Sequence, residues 1–246
     1  MMDQIERLAQ VLKESKRLCV FTGAGISVPS GIPDFRSANG LYNTKTKYPY
    51  APEQMISHSF FVGHSEMFWD FYKSVMLFPD AKPNDAHRFF ASLETPERTV
   101  SVVTQNIDGL HQAAGSTNVF ELHGSVHRNY CQSCGKFFSL NDLLKTDGIP
   151  RCDKCGGVIK PDVVLYEEPL NEEVVYGAVN AIRRSDVMVV VGTSLVVYPA
   201  ASYLRYFSGG CLALINKSET AFDRDADIAL NDDVVHVVHQ LQQYGV

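Results

Sequence analysis

The sequence predicts a doubly wound α/β fold, in which a parallel sheet carries helices on both faces. Five short apolar runs bounded by turn residues indicate buried strands, and helical patterns lie between or after them. A glycine-rich turn directly follows the first of these strands. Parallel neighbours need a crossover connection, which is usually a helix, so this alternation favours a parallel sheet.

Apolar spacing predicts the elements in chain order. Ile5, Leu8, Ala9 and Leu12 repeat at helical spacing and indicate a first helix. The predicted strands cover residues 18–22, 99–104, 119–122, 187–191 and 211–215. The later helices are predicted over residues 83–93, 171–184, 199–207 and 233–244.

Two stretches interrupt the alternation within what we expect to be a single unit over residues 1–246. Residues 40–78 are rich in aromatic side chains and contain one helical pattern, at 65–76, so a helical or loop insertion is predicted. Residues 126–160 contain four cysteines and predict a small insertion stapled by metal. The sheet domain would then consist of residues 1–39, 79–125 and 161–246.

Composition and charge exclude several classes of protein. With 45% hydrophobic and 20% charged residues, the chain fits a globular protein and not a disordered or coiled-coil one. The net charge of −6 provides no basic field for nucleic acid or an anionic membrane surface, so neither is an expected partner. The acidic amino terminus lacks a signal-like apolar core, and the apolar run at 187–191 is too short to cross a bilayer. We therefore expect a cytoplasmic protein.

Four of the six cysteines form two Cys-x-x-Cys pairs. Cys131 and Cys134 are separated from Cys152 and Cys155 by 17 residues, which is typical of a four-thiolate zinc site. Because the protein supplies all four ligands, no position remains for water, and the zinc is expected to be structural. Two redox dithiols and a zinc ribbon that binds nucleic acid are the alternatives. The other two, Cys19 and Cys211, lie in apolar runs and are predicted to be buried thiols.

The glycine-rich turn at residues 22–27 reads Thr-Gly-Ala-Gly-Ile-Ser. Glycines at such a turn let backbone amides approach a pyrophosphate at a helix amino terminus. Val28 stands where the dinucleotide fingerprint has its third glycine, so an ordinary dehydrogenase match fails. Taken alone, this loop is equally consistent with a tight turn that binds nothing.

Polar residues follow the next two strands. Residues 104–108 read Thr-Gln-Asn-Ile-Asp, and residues 122–124 read Leu-His-Gly. The carboxyl ends of parallel strands are where this architecture binds ligands, so His123 is a candidate general base there. The remaining histidines are expected to be structural: His58, His64, His87, His111, His127, His236 and His239.

Together these segments resemble the sirtuins, a family of NAD-dependent protein deacylases. Five agree in order: the Gly-Ala-Gly-Ile-Ser loop, Gly-Ile-Pro-Asp-Phe-Arg at 31–36, Thr-Gln-Asn-Ile-Asp, Leu-His-Gly and the paired cysteines. The likeness continues through residues 192–194 and Asn216, and it is closest to compact bacterial members. It implies a Rossmann-like doubly wound parallel sheet that binds NAD, with a small zinc-ribbon insertion and a helical/loop insertion.

The resemblance also implies roles for individual residues. His123, Asn106 and Asp108 would be catalytic, with Asp108 bound to the nicotinamide carboxamide. Like Asn106 and Asp108, Gln105 and Ile107 would face the ribose and the nicotinamide of NAD. The other residues implied to contact NAD are Gly23, Ala24, Gly25, Ile26, Val28, Phe35 and Arg36, and at the adenosine end Gly192, Thr193, Ser194, Asn216, Lys217 and Asp233.

The activity implied is removal of acetyl groups from protein lysine side chains, with NAD as co-substrate and one structural Zn²⁺. Nicotinamide, O-acetyl-ADP-ribose and free lysine would be the products, and acetylated proteins or peptides the partners. His123 would activate a ribose hydroxyl, and Phe35 would shield the sugar after nicotinamide leaves. The alternatives are mono-ADP-ribosyl transfer, removal of longer acyl chains, and a non-catalytic NAD-sensing zinc-ribbon module.

Two features concern the acylated substrate. The family's peptide-binding strand is matched by Val164, Leu165, Tyr166 and Glu167. Glu167 stands where a glycine is usual, and Lys160, earlier in the same segment, stands where an arginine is usual. Desuccinylating relatives place a tyrosine and, three residues later, an arginine in the acyl pocket. The matching positions here are Tyr72 and Val75, which takes the place of the arginine, with Lys73 between them. The resemblance therefore implies a preference for acetyl over succinyl or malonyl groups.

Overall fold

The computed structural model describes residues 3–35, 37, 40–41 and 47–246. Its strands are β1 (Arg17–Thr22), β2 (Thr99–Thr104), β3 (Asn118–Glu121), β4 (Gly124–Cys131), β5 (Phe137–Ser139), β6 (Ile159–Val163), β7 (Val187–Val191), β8 (Cys211–Ile215) and β9 (Ile228–Leu230). Six of them form one parallel sheet in the order β3-β2-β1-β7-β8-β9. After β1 the chain forms β2 and β3 on one side of it, and then returns to form β7, β8 and β9 on the other side. A ligand crevice is expected at β1, where the strand order reverses.

The helices are α1 (Gln4–Glu14), α2 (Pro52–Met55), α3 (His58–Gly63), α4 (Ser65–Phe71), α5 (Asp85–Ser92), α6 (Leu110–Ala113), α7 (Leu140–Leu144), α8 (Glu172–Arg184) and α9 (Val234–Gln243). Short 3₁₀ helices cover Ala24–Ser30 and Ala200–Tyr206, and a π-helical turn covers Tyr72–Met76. No helix among these residues is long and apolar enough to cross a membrane.

Helices cover both faces of the large sheet, which confirms the predicted fold class. Apolar side chains of α1, α5 and α9 pack on one face, and those of α8 and the 3₁₀ helix Ala200–Tyr206 pack on the other. All five residues of β7 are buried, as expected for a strand covered on both faces. Cys19 and Cys211 are buried free thiols, as predicted.

A few elements differ from their predictions. The helix predicted over residues 199–207 is a seven-residue 3₁₀ helix, because apolar spacing over so short a stretch cannot distinguish three residues per turn from 3.6. The helix predicted over 65–76 is α-helical to Phe71 and ends in the π-helical turn. The edge strand β9 was not predicted, since three residues are too few for a pattern.

The two insertions share one hydrophobic core. Phe68, Trp69, Phe71 and Tyr72 of the aromatic-rich segment are almost fully buried. They belong to the same cluster as apolar residues of β4, α7 and β6, the elements around the cysteines. The strands β5, β4 and β6 form a separate antiparallel sheet in that order. The domain boundaries given above stay predictions.

Candidate functional site

A cavity of about 270 Å³ lies at the carboxyl ends of β1, β2 and β3. One wall comes from the glycine-rich loop and the strand ends, and the other from the segment that follows β6. The structure thus brings together residues from distant parts of the chain. The sequence-predicted residues that line the cavity are Ala24, Phe35, Gln105, Asn106, Ile107, Asp108, His123, Val164, Leu165, Tyr166 and Glu167.

A backbone carbonyl group holds His123 in one tautomer. Its Nδ1 lies 2.9 Å from the carbonyl oxygen of Gln105, and a carbonyl oxygen can only accept. Nδ1 therefore carries the proton, which leaves the lone pair on Nε2. Burial lowers the pKa of His123, opposed by the bond to Gln105, so the neutral imidazole is favoured. A neutral imidazole with a free Nε2 in a cavity suits a general base.

The glycine after His123 allows this placement. Gly124 has φ of +77°, and a Cβ there would lie 1.9 Å from the carbonyl oxygen of Asp162 in β6. Only glycine permits both the left-handed conformation and the close approach. The chain can therefore turn sharply from the end of β3 into β4, with His123 at the turn.

Asn106 and Asp108 are fixed by the loop across from them. The Asn106 side-chain amide donates to the carbonyl oxygen of Gly23 at 3.1 Å and to Ser27 Oγ at 3.2 Å. Ser27 Oγ in turn donates to the Asp108 carboxylate at 2.7 Å, which also accepts from the Leu110 N–H at 2.9 Å. Burial raises the pKa of Asp108, against the effect of these hydrogen bonds. The loop and the second strand end are thus one hydrogen-bonded unit.

The glycine-rich loop also packs tightly on the turn after β7. A Cβ at Gly25 would lie 2.7 Å from the Cα of Gly192, and one at Gly23 would lie 2.6 Å from the Cβ of Thr193. The Gly25 N–H donates to the Gly192 carbonyl oxygen at 2.8 Å. The close contact explains why glycines stand at these positions, whether or not the loop binds a phosphate.

The turn after β8 provides a buried polar group. Asn216 Oδ1 accepts from the Thr193 N–H at 2.8 Å, but its buried Nδ2 has no hydrogen-bond partner within residues 3–35, 37, 40–41 and 47–246. An orphaned buried donor at a strand end suits a ligand rich in acceptors, so the residues present fit a dinucleotide. Nearby, Lys217 and Asp233 form a 2.9 Å ion pair with each other, and Asp233 caps α9.

Several predicted site residues do not line the cavity. Ile26 is fully buried in the core beneath the loop, and Val28 points to the surface. Tyr72 and Val75 pack within the shared core of the insertions, and it is their neighbour Met76 that reaches the cavity. The others outside the lining are Gly23, Gly25, Gly192, Thr193, Ser194, Asn216, Lys217 and Asp233. Arg36 lies outside the described residues.

The segment after β6 pairs with its surroundings through the backbone. The Val164 N–H donates to the His123 carbonyl oxygen at 3.0 Å, and the Tyr166 N–H donates to that of Ile56 at 3.0 Å. Glu167 has φ of +77°, the left-handed region that favours glycine. Lys160, at the arginine position, makes a 3.0 Å ion pair with Glu168.

Sequence reasoning missed several contributors. Ser27 lies in the quoted loop motif, yet its bridge between Asn106 and Asp108 was not anticipated. His127 was expected to be structural, and it lines the cavity with Nε2 3.0 Å from the Asp108 carbonyl oxygen. Apolar residues after β7 complete the rim, with no local signal that distinguishes them from a surface loop: Val197, Tyr198 and Pro199.

The four cysteines converge as their spacing predicts. All four sulfur atoms lie within 4.8 Å of one another, with Cys131–Cys155 at 3.4 Å and Cys134–Cys152 at 3.7 Å. Tetrahedral zinc with bonds of about 2.3 Å separates its sulfurs by about 3.8 Å, so the cluster fits that ion. The cysteines do not line the cavity. This geometry favours a structural zinc over two independent redox dithiols.

Comparison with known proteins agrees with this geometry. The model of the Sir2 family matches residues 23–199. An NAD-dependent protein deacetylase of Clostridium acetobutylicum is 54% identical over 97% of this chain and 98% of its own. One of Staphylococcus aureus is 43% identical over 98% and 99%.

Solved structures are similar over the whole fold. A Sir2 complex with a p53 peptide and NAD⁺ has a TM-score of 0.85 and 39% identity, covering 99% of both chains. A Sir2 variant with a deacetylated p53 peptide and 3′-O-acetyl ADP ribose has a TM-score of 0.87 and 39% identity, covering 98% of both.

Proposed function

Because this chain belongs to the Sir2 family, we propose that it removes acetyl groups from protein lysine side chains with NAD as co-substrate. Acetyl-lysine, NAD and water would give lysine, nicotinamide and O-acetyl-ADP-ribose. The relatives named above carry this activity in their names, and related structures hold a peptide with NAD⁺ or with an acetylated ADP-ribose.

The observation that carries the proposal is the state of His123. Its Nδ1–H is bound to the Gln105 carbonyl, so a free Nε2 lone pair lies in the cavity beside Asn106 and Asp108. In the proposed reaction this nitrogen takes the proton of a ribose hydroxyl as that hydroxyl attacks the acyl carbon. A positioned base of this kind accelerates proton transfer by about 10²- to 10⁴-fold.

The other residues take supporting roles. Asp108, buried and held by Ser27, is proposed to bind the nicotinamide carboxamide. Asn106 holds the loop through Gly23 and faces the ribose. Phe35 lines the cavity and excludes water from the reacting sugar. The Nδ2 of Asn216 donates at the adenosine end.

The acetylated peptide is proposed to lie along residues 164–167, which line the cavity opposite the loop. The zinc bound by the four cysteines keeps the fold and takes no part in the reaction. We place the protein in the cytoplasm, because six free cysteines, four of them arranged for metal, are typical of a reducing compartment.

The experiment is a reaction of the purified protein with NAD and an acetyl-lysine peptide, followed by mass spectrometry. We expect equal amounts of nicotinamide, deacetylated peptide and O-acetyl-ADP-ribose, with none formed when NAD is omitted. A peptide that gains an ADP-ribosyl group would instead show ADP-ribosyl transfer. Intact NAD and intact acetyl-peptide would show a binding module, and either result would overturn the proposal.

A further inference from the structure

A chain of buried polar side chains lies beneath the cavity, on the core side of the strand ends. The hydroxyl of Thr22, the last residue of β1, donates to the hydroxyl of Thr104, the last residue of β2, at 2.8 Å. Thr104 Oγ1 also accepts the backbone N–H of Asn106 at 3.0 Å. The backbone that carries Asn106 is thus held from below by two threonines.

The Thr22 hydroxyl determines the tautomer of His111. Its single proton goes to Thr104, so toward His111 Nε2, 2.9 Å away, Thr22 Oγ1 can only accept. His111 therefore carries its proton on Nε2. Its Nδ1 is then an acceptor, and this buried atom has no hydrogen-bond partner among the residues that the structure describes.

His87 has the same tautomer for a different reason. Its Nδ1 accepts the backbone N–H of Asn84 in the capping box of α5. The neutral ring therefore carries its proton on Nε2, and that buried N–H likewise has no partner in the described part of the chain. Asn84 also donates from its side chain to the Ile26 carbonyl oxygen at 2.8 Å and to Ser30 Oγ at 2.9 Å, so it braces the glycine-rich loop.

The two unpartnered atoms are complementary. The His87 and His111 rings are neighbours, with centroids 4.9 Å apart and planes at 66°. One offers a donor and the other an acceptor, and both residues are at most 1% exposed. Leaving both groups unpaired in the core would cost the desolvation of each, whereas one shared bond satisfies both.

We propose that His87 and His111 are a pair of positioning residues, joined by a hydrogen bond from Nε2–H to Nδ1. The structure shows no direct bond between these two atoms, so the bond forms through a small rotation of the rings or through one bridging water molecule. The pair connects two supports of the cavity. On one side, His87 holds Asn84 and through it the loop, and on the other, His111 holds the threonines beneath Asn106. Neither histidine lines the cavity, so both act through other residues.

Electrostatics agrees with a neutral pair. Burial lowers the pKa of His111 to about 3 and that of His87 to about 4, with smaller contributions from His87 and Arg88 respectively. Both rings are therefore uncharged at neutral pH. An uncharged pair keeps one acceptor nitrogen on each ring, which a second proton on that ring would remove.

The first test uses the unmodified protein and does not depend on the proposed function. Nitrogen-15 spectra of labelled histidine at pH 7 report which ring nitrogen carries the proton. We expect both His87 and His111 to be protonated on Nε2, with the His111 Nδ1 shift displaced from that of a free acceptor. An Nδ1-protonated His111, or a His111 Nδ1 with the shift of an unbonded nitrogen, would overturn the proposal.

The second test rests on the proposed use of NAD. In His111→Gln the amide NH2 can take the place of Nε2 and donate to Thr22, but no atom takes the place of the Nδ1 acceptor. In His87→Asn the amide oxygen can take the place of Nδ1 and accept from Asn84, but no atom takes the place of the Nε2 donor. We expect each to raise KM for NAD by about two- to tenfold, the size of one lost hydrogen bond, with kcat changed less. Because both remove the same bond, the double variant should cost little more than either single one.

The control is His239→Gln, an exposed histidine bonded to Asp85 at the start of the same helix α5. We expect it to leave KM for NAD unchanged. If the KM increases of the two single variants multiply in the double variant, His87 and His111 act independently, and the shared bond is overturned. Absence of any NAD-dependent reaction in the unmodified protein would contradict the proposed function, while the tautomer measurement would still decide the pair.

Discussion

The carboxylate of Glu167 is bound twice by Ser59, whose backbone N–H donates at 2.8 Å and whose hydroxyl donates at 3.0 Å. These bonds join the rim of the cavity to the first turn of α3. They also explain how a glutamate occupies a left-handed position, at φ of +77°, that costs about 1–2 kcal/mol for a residue with a Cβ. The two hydrogen bonds of the Glu167 side chain offset the conformational strain of its backbone.

Replacing Glu167 separates these two effects. Glu167→Gly loses both bonds to Ser59 but relieves the strain, whereas Glu167→Ala loses the bonds and keeps the strain. We expect the alanine variant to be less stable than the glycine variant by about 1–2 kcal/mol in urea unfolding. Equal stability of the two would show that position 167 is not strained.

The general base is tested by His123→Ala. We expect the deacetylation rate to fall by about 10²- to 10⁴-fold while the affinity for NAD changes little. His236→Ala, at an exposed position on α9, is the control and should have normal activity. A normal rate for His123→Ala would exclude the residue as the base.

The pH dependence of the unmodified enzyme gives the same base a second signature. A base works when deprotonated, and burial lowers the pKa of His123 from its ordinary 6.5. The acid limb of kcat/KM should therefore have its midpoint below 6.5. A midpoint above 6.5 would contradict the environment described for His123.

Asp108→Asn tests the nicotinamide contact. Asparagine has the same shape, but it loses one acceptor oxygen and the charge that Ser27 and the Leu110 N–H now stabilise. We expect a higher KM for NAD and weaker inhibition by added nicotinamide. Unchanged values of both would place Asp108 outside the nicotinamide site.

Metal removal tests the role of the cysteine cluster. We expect Cys152→Ala or a chelator to remove zinc and to lower thermal stability and activity together, because a closed site contributes directly to folding. Cys211→Ala, a buried thiol outside the cluster, should retain one equivalent of zinc. A metal-free protein with unchanged stability and activity would refute a structural zinc.

Acyl preference is tested by competing acetyl and succinyl forms of one peptide in a single reaction. We expect faster removal of acetyl, because no lysine or arginine is among the described residues that line the cavity, and a buried unpaired carboxylate is costly. Lys73 does not supply a partner either, since its ammonium group donates to the carbonyl oxygens of Thr146 and Gly148. Faster removal of succinyl would contradict the expectation.

The sheet and the metal cluster could be predicted because their signals are local. The buried runs that became β2, β7 and β8 have the predicted bounds, and the cysteine spacing predicted the converging sulfurs. The histidine pair could not be predicted. His87 and His111 lie on different helices, and only the fold shows that their rings are neighbours and that each has a buried nitrogen without a partner among the described residues.

The acyl pocket shows a second limit of sequence reasoning. Matching positions pointed to Tyr72 and Val75, but the π-helical turn that begins at Tyr72 changes which side chains face the cavity. Met76 reaches it and Val75 does not. A π-helical turn has more residues per turn than an α-helix, so a spacing rule for α-helices does not predict which of its side chains reach the cavity.

The core that the two insertions share is a separate cluster from the two cores on the faces of the large sheet, and the cavity is lined from both sides. Ala24 and Gln105 line the cavity from the side of the large sheet, and Met76 and Leu140 line it from the side of the insertions. If NAD binds mainly to the sheet side and a peptide contacts both sides, each ligand would hold the two sides of the cavity in the arrangement that the other one needs. Thermodynamic linkage between the two co-substrates would then be a property of the architecture, arising without any dedicated regulatory element.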